Sequence, residues 1–260
     1  MMKFLSLHML LLITTSMGSA QITGNFIPVQ GETINYMYVQ REALSPGAAD
    51  LDFYPFVVND SVTSKFNYVS PASTPFDTAF SLASRNLSIR LGDNYAYYDA
   101  GSNDGWNLIG YAADNMALEY DHALKLFPAT MDYNSSNHQL VGDSAVSIYY
   151  NEGLEVHRRA HSSCEVDADG FLSVSLQGYD PFMQGECVRV TTTETYTDST
   201  YVNGIFFRSY ETEVVSHYWI SVEIPGQVNE EILFVYQTVN FKDFADPSNN
   251  TTRTLVRYKN

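Results

Sequence analysis

The sequence is poor in cysteine, in positive charge and in long apolar runs, and each shortage narrows what the protein can be. Only 14 Lys and Arg stand against 30 Asp and Glu, a formal charge of −16 at pH 7. A surface of that sign repels phosphate backbones and anionic headgroups, so nucleic acid and membrane-surface partners are not expected. Beyond Ile13 no apolar run approaches the roughly 20 residues that cross a bilayer as a helix. No later segment carries a long apolar stripe of helical period. Catalytic motifs are missing too: there is no Gly-x-Ser-x-Gly nucleophile elbow and no His-Glu-x-x-His zinc helix.

What is present starts at the N-terminus. Met1-Met2-Lys3 is a short basic start, Phe4 to Ile13 is almost unbroken apolar sequence, and Gly18-Ser19-Ala20 supplies the small residues that a signal peptidase reads. These features predict a signal peptide over 1–20, cleavage between Ala20 and Gln21, and one exported domain over 21–260, secreted or periplasmic. No cysteine follows the leader before Cys164, which argues against a lipid anchor. Cleavage removes Lys3 and no acid, leaving 13 basic residues against 30 acidic ones and a formal charge of −17. In an oxidising compartment the two cysteines, Cys164 and Cys187, are expected to form a disulfide. It would close a loop of about 23 residues, worth roughly 3 kcal/mol in the chain-entropy model.

Period-two patterns dominate the rest. Val62, Ser64, Phe66 and Tyr68 alternate with Thr63, Lys65 and Asn67, as on a half-buried strand. Further strands are expected over 87–91, 95–99, 106–112, 145–150, 171–176, 232–241 and 254–258. The sharpest local signal is Tyr201-Val202-Asn203-Gly204-Ile205-Phe206, because Asn-Gly suits a type I′ hairpin whose two central residues take positive φ. It should join two long strands, 187–202 and 205–222. A second turn is expected at Asp169-Gly170, and short helix near 78–83 or 117–126. Apolar content of 45%, with 19 Tyr and 15 Phe, is ample for a packed core. The expected fold is all-β: an antiparallel β-sandwich or curved half-barrel of about a dozen strands with little helix.

Candidate chemistry is thin. His157-Arg158-Arg159-Ala160-His161 precedes Cys164, but on a strand His157, Arg159 and His161 share a face, and the cation between the histidines opposes a bound metal. Asp167-Ala168-Asp169-Gly170 opens like a calcium loop, yet loop position twelve falls on Gly178, where a bidentate Glu is needed. Asp93, Asp99 and Asp104 lie in a Gly- and Asn-rich stretch where Asp serves turns. Trp106 and Trp219 are candidates for a sugar-stacking face, although aromatics on strands more often pack in cores. Asn59, Asn86, Asn134 and Asn249 head N-glycosylation sequons that matter only in a eukaryotic host.

Several stretches together resemble a group of uncharacterised secreted all-β proteins of Bacteroidota. They are Ile22 to Gly31, Ser70-Pro71-Ala72-Ser73-Thr74-Pro75-Phe76, Tyr95 to Tyr111, Phe127-Pro128, Asp169-Gly170-Phe171-Leu172, Val188-Arg189-Val190 and Tyr218-Trp219. Members often carry a C-terminal type IX secretion sorting domain, which is not expected here. The resemblance implies a curved antiparallel sheet and is silent on activity. It also makes Asp60-Ser61-Val62, Asp77-Thr78-Ala79 and Asp143-Ser144-Ala145 candidate O-glycosylation sites.

The sequence therefore predicts an exported, acidic, non-catalytic binding or structural module of the cell envelope or extracellular space. No cofactor, no metal and no catalytic residue are expected, and its partner is an envelope or extracellular component, with a glycan as one candidate. Two alternatives are a carbohydrate-binding protein or glycoside hydrolase, and a periplasmic carrier of an apolar ligand. The inner face of the sheet separates them. A filled core fits the structural role, a lined void fits the carrier, and two facing acids fit the enzyme.

Overall fold

The computed structural model describes residues 20–22, 30–37, 51–56, 63–81, 86–101, 105–133, 140–176, 183–221 and 232–258. The predicted leader up to residue 19, the sequons at Asn59 and Asn134, the Asp60-Ser61-Val62 site and Asp104 lie outside these residues. The first half supplies β1 (Ala20–Ile22), β2 (Thr33–Met37), β3 (Leu51–Phe56), β4 (Thr63–Val69), β5 (Leu87–Leu91), β6 (Asn94–Gly101), β7 (Gly105–Ala113), β8 (Met116–Phe127) and β9 (Met131–Tyr133). The second half supplies β10 (Leu140–Asn151), β11 (Leu154–Leu176), β12 (Met183–Val202), β13 (Ile205–Ser221), β14 (Ile232–Asp243) and β15 (Thr251–Tyr258).

Two large sheets face each other. The first runs β2-β4-β5-β6-β7-β8; the second is a meander, β10-β11-β12-β13-β14-β15, with β3 added in parallel beside the far end of β11. β1 and β9 form a separate two-stranded ribbon. The sheets do not close into a barrel. At one side β8 packs against β10, and at the other β15 packs against β2. Across the β8–β10 seam, side chains replace the ladder. Asp121 Oδ1 accepts from the Val146 amide at 3.0 Å, and Asp143 Oδ2 accepts from the Lys125 amide at 2.8 Å. Ser162 Oγ donates to the Lys125 carbonyl at 2.6 Å. The all-β sandwich expected from the sequence is the observed fold.

Alternation decides which residues enter the core. Leu118, Tyr120, Leu124 and Leu126 of β8 are buried while Ala117, Asp121 and Lys125 are not. This is a period of two, so the helix expected over 117–126 is a strand instead. Among the described residues, the helical turn at the other expected helix is the single 3-10 turn Asp77–Ala79, and residues 82–83 lie outside them. Asn203 and Gly204 have φ of 50° and 77°, as the Asn-Gly hairpin requires. A second such pair, Glu152 and Gly153 at 50° and 80°, joins β10 to β11. Gly110 admits the close approach of β7 and β8, since a Cβ there would lie 2.0 Å from the Leu118 carbonyl oxygen.

Asp169-Gly170 is not a turn. β11 runs straight through it, and the irregularity sits earlier, where Asp167 is the extra residue between the Val166–Val190 and Ala168–Arg189 pairs. The bulged Asp167 grips Arg189 through two hydrogen bonds of 2.8 and 2.9 Å and accepts a third from Thr191 at 3.0 Å. A bulge that re-aims one carboxylate accounts for an acidic, glycine-containing stretch that reads as a corner.

The expected disulfide is also corrected: Cys164 and Cys187 are free, and both are buried. Cys164 is level with Thr192 and Cys187 with Gly170. The two therefore stand five rungs apart on the β11–β12 ladder, roughly 17 Å, whereas a bond needs Cα atoms within about 7 Å. Cys164 Sγ instead lies 3.5 Å from Met131 Sδ. Burial pushes the thiol of Cys187 up to about 12 and that of Cys164 further still. Two consequences are expected. A thiol-alkylating reagent should leave the folded protein unlabelled, and in denaturant without reductant it should add two adducts by mass. Labelling that requires prior reduction would contradict this register.

Candidate functional site

The two sheets do not pack flush. Between them lies a cavity of about 450 Å³, walled by β4 to β8 on one side and β11 to β14 on the other. Of its twenty described lining residues nine are aromatic, so ring surface rather than aliphatic packing defines its shape. One end is lined by a chain of rings. Tyr98 and Trp106 have centroids 5.4 Å apart, Trp106 stacks on Phe127 at 5.8 Å, and Phe127 meets Tyr218 edge-on at 4.9 Å. The opposite end reaches Asn94 and Met116, at the turns that join β5 to β6 and β7 to β8. Those two residues also line a shallow depression with Asp93, Asp114, Asn115 and Asn151.

One wall is polar. Arg158 of β11 and Asp198 of β12 are direct cross-strand partners. The guanidinium donates from Nε and Nη2 to the two Asp198 oxygens, at 2.7 and 2.6 Å. It also lies over the rings of Tyr196 and Tyr149, at 5.1 and 5.8 Å from their centroids. Glu194, four residues before Asp198 on the same face of β12, accepts a short hydrogen bond from the Tyr196 hydroxyl. Further along the same sheet Gln237 Nε2 donates to Ser216 Oγ at 2.8 Å. The buried Trp106 Nε1 has no hydrogen-bond partner among the described residues.

These surroundings hold the phenols neutral. Burial, then the Glu194 charge, pushes Tyr111 up to about 12. Burial raises Tyr98, Tyr120 and Tyr196 well above the usual phenol range, and the Glu194 carboxylate adds to each. Arg158 is raised as well, for a different reason: burial alone would lower it, but its bonds to Asp198 outweigh burial and keep it firmly charged.

The residues singled out in the sequence do not assemble into one site. Trp106 lines the cavity, whereas Trp219 lies on the opposite face of β13, buried between His217 and Phe234. His157 bonds Glu155 at 2.6 Å and His161 bonds Ser144 at 2.7 Å, while Cys164 points to the other side of the strand. Among the described residues no cluster of three or more His, Cys, Asp and Glu could hold a metal ion. The Asn86 side chain spends both its ends on the backbone of Ala100, at 2.7 and 2.9 Å. Arg158, Glu194 and Tyr196, which matter most here, carry no motif. Their strand parity, shared with Val156 and Ala160 or with Val188 and Val190, was the available signal.

The neutral phenols make the interior sensitive to alkali. Unfolded tyrosines ionise near the ordinary value of 10.0, so between there and about 12 the folded state holds the Tyr111 proton more tightly than the unfolded one. Stability is fully present below the lower value and is lost as pH climbs through the upper one. Absorbance at the phenolate band should show a group of tyrosines that ionise only in a late, cooperative step coincident with unfolding. Titration of all 19 with one midpoint near 10 would contradict it. Comparison with protein-family models, with curated proteins and with solved structures finds no match for this chain.

Proposed function

We propose that this protein is an exported, non-catalytic binding module that holds a small, largely apolar ligand between its two sheets. The observation that carries this is the aromatic-walled cavity of about 450 Å³. It falls within the roughly 300–1,000 Å³ of small-molecule sites and combines apolar walls with a few placed polar groups. A purely structural module would gain more from closing that space, because protein interiors pack to crystal density. The signal-like leader supports export, to the periplasm or beyond.

The glycoside hydrolase alternative has less support. That chemistry uses two carboxyl groups about 5 to 9.5 Å apart. Among the described residues the cavity lining contains one acid, Glu194. Asp198 is four residues along the strand, roughly 13 Å away, and both its oxygens are engaged by Arg158. Trp106 and Trp219 are both buried, at 8% and 5% exposure, which leaves neither as an open platform for a sugar ring.

The test uses N-phenyl-1-naphthylamine, an uncharged fluorophore that brightens in apolar surroundings. The protein should bind it at one site. Ala96 lines the cavity, so Ala96→Phe should fill space and weaken binding by about tenfold or more, equivalent to about 1.4 kcal/mol, with far-UV circular dichroism unchanged. Equal binding by the variant would place the probe elsewhere and overturn the proposal, as would release of reducing sugar from a polysaccharide panel.

A further inference from the structure

We propose, resting on the binding role above, that the ligand carries an uncharged carbonyl oxygen on a flat apolar body, and that this oxygen accepts a hydrogen bond from Trp106 Nε1. Of the buried polar side-chain atoms without a partner among the described residues, the Trp106 Nε1 alone belongs to a residue of the cavity wall. The indole is buried, at 8% exposure. A buried donor with nothing to bond is rare in a native protein and costs stability. Here it stands in the wall of a space that a ligand can enter, so the ligand is the partner that the chain does not supply.

The sense of that bond is fixed, because an indole nitrogen donates and never accepts. The ring is held in place as well. Phe127, the cross-strand partner of Trp106, stacks with the indole at an interplanar angle of 21°, and Tyr98 of the strand on the other side meets it at 59°. An apolar ligand that enters the cavity displaces any water the donor had, and one without an acceptor leaves the donor bare. Sites of this kind reject an analogue that lacks the bonding atom far more strongly than one that differs by a methylene.

The acceptor is uncharged, because a buried carboxylate needs a cation. Arg158 is the one cation among the described lining residues, and Asp198 already engages its Nε and Nη2. A carboxylate set against a single indole donor stays unpaired, at a cost that a ketone, ester or amide carbonyl does not incur. The body is flat, to match walls in which nine of the twenty described residues are aromatic. Trp106 lies near the start of β7, whereas Asn94 and Met116 border turns at the far end of that strand. The carbonyl therefore sits at the end of the cavity away from those turns, with the apolar body extending toward them.

The experiment displaces bound N-phenyl-1-naphthylamine with benzophenone and with 1,1-diphenylethylene, which are close in shape and differ in the carbonyl oxygen. The hydrocarbon is the more hydrophobic, so burial alone favours it. The ketone should nevertheless compete about tenfold better or more, equivalent to about 1.4 kcal/mol, and better than diphenylacetate, which carries a carboxylate instead. Proton NMR should show one of the two indole N–H signals moving downfield with the ketone and neither doing so with the hydrocarbon. Trp106→Phe should abolish the ketone's advantage while retaining the fluorophore. If the fluorophore binds and the hydrocarbon or diphenylacetate competes as well as the ketone, this assignment is overturned and the binding role stands. A ketone advantage that persists in Trp106→Phe, or moves no indole signal, overturns it too. If the fluorophore does not bind at all, the binding role fails and this assignment fails with it. The wild-type ratio and the indole signal decide the matter even if Trp106→Phe does not fold.

Discussion

The interior is organised around one ion pair. A guanidinium buried among tyrosine rings costs several kcal/mol unless a carboxylate meets it, and Asp198 does so from the adjacent strand with both oxygens. Removing one member of such a pair costs about 3–5 kcal/mol, a large part of the roughly 5–15 kcal/mol that keeps a domain folded. The pair fixes more than energy. With Arg158 held against Tyr196 and Tyr149, the polar wall of the cavity keeps one arrangement. Glu194 then remains the carboxylate that sets the potential at the opposing phenols.

The void survives because its walls cannot easily fall in. Rings in contact across it, from Tyr98 through Trp106 and Phe127 to Tyr218, prop the sheets apart at one end. Their flat, stiff shapes cannot fill the remaining volume as flexible aliphatic chains would. At roughly 24 cal/mol per Å³, a dry apolar space of about 450 Å³ would cost about 11 kcal/mol, comparable with the stability of a whole domain. A space of that size is therefore solvated or occupied.

The fold was largely legible and the site was not. Alternation along Val62 to Tyr68 and the Asn203-Gly204 turn are local signals, and local chemistry suffices to read them. The turn misplaced at Asp169-Gly170 shows where that stops. Asp-Gly reads as a corner unless the partner strand is known, and Asp167 answers to Arg189 and Thr191, more than twenty residues away. The expected disulfide failed for the same reason, since register and not sequence distance sets whether two cysteines meet. Arg158 was visible within a conspicuous run, but the attention drawn by His157 and His161 fell on the outward parity of that strand. The cavity itself depends on two sheets formed from the two halves of the chain, and no window of sequence spans both.

The seam between β8 and β10 bears on how the molecule behaves among its own copies. A sandwich that stops short of closure keeps open strand edges, and an open edge is a template for a foreign strand. Asp121 and Asp143 occupy backbone donors along this one and place charge beside it. An incoming chain would have to displace a carboxylate and bury its charge before forming its first ladder bond. Where a closed barrel has no edge at all, this protein caps backbone donors at one seam with two aspartates, and the sheets stand apart around a cavity.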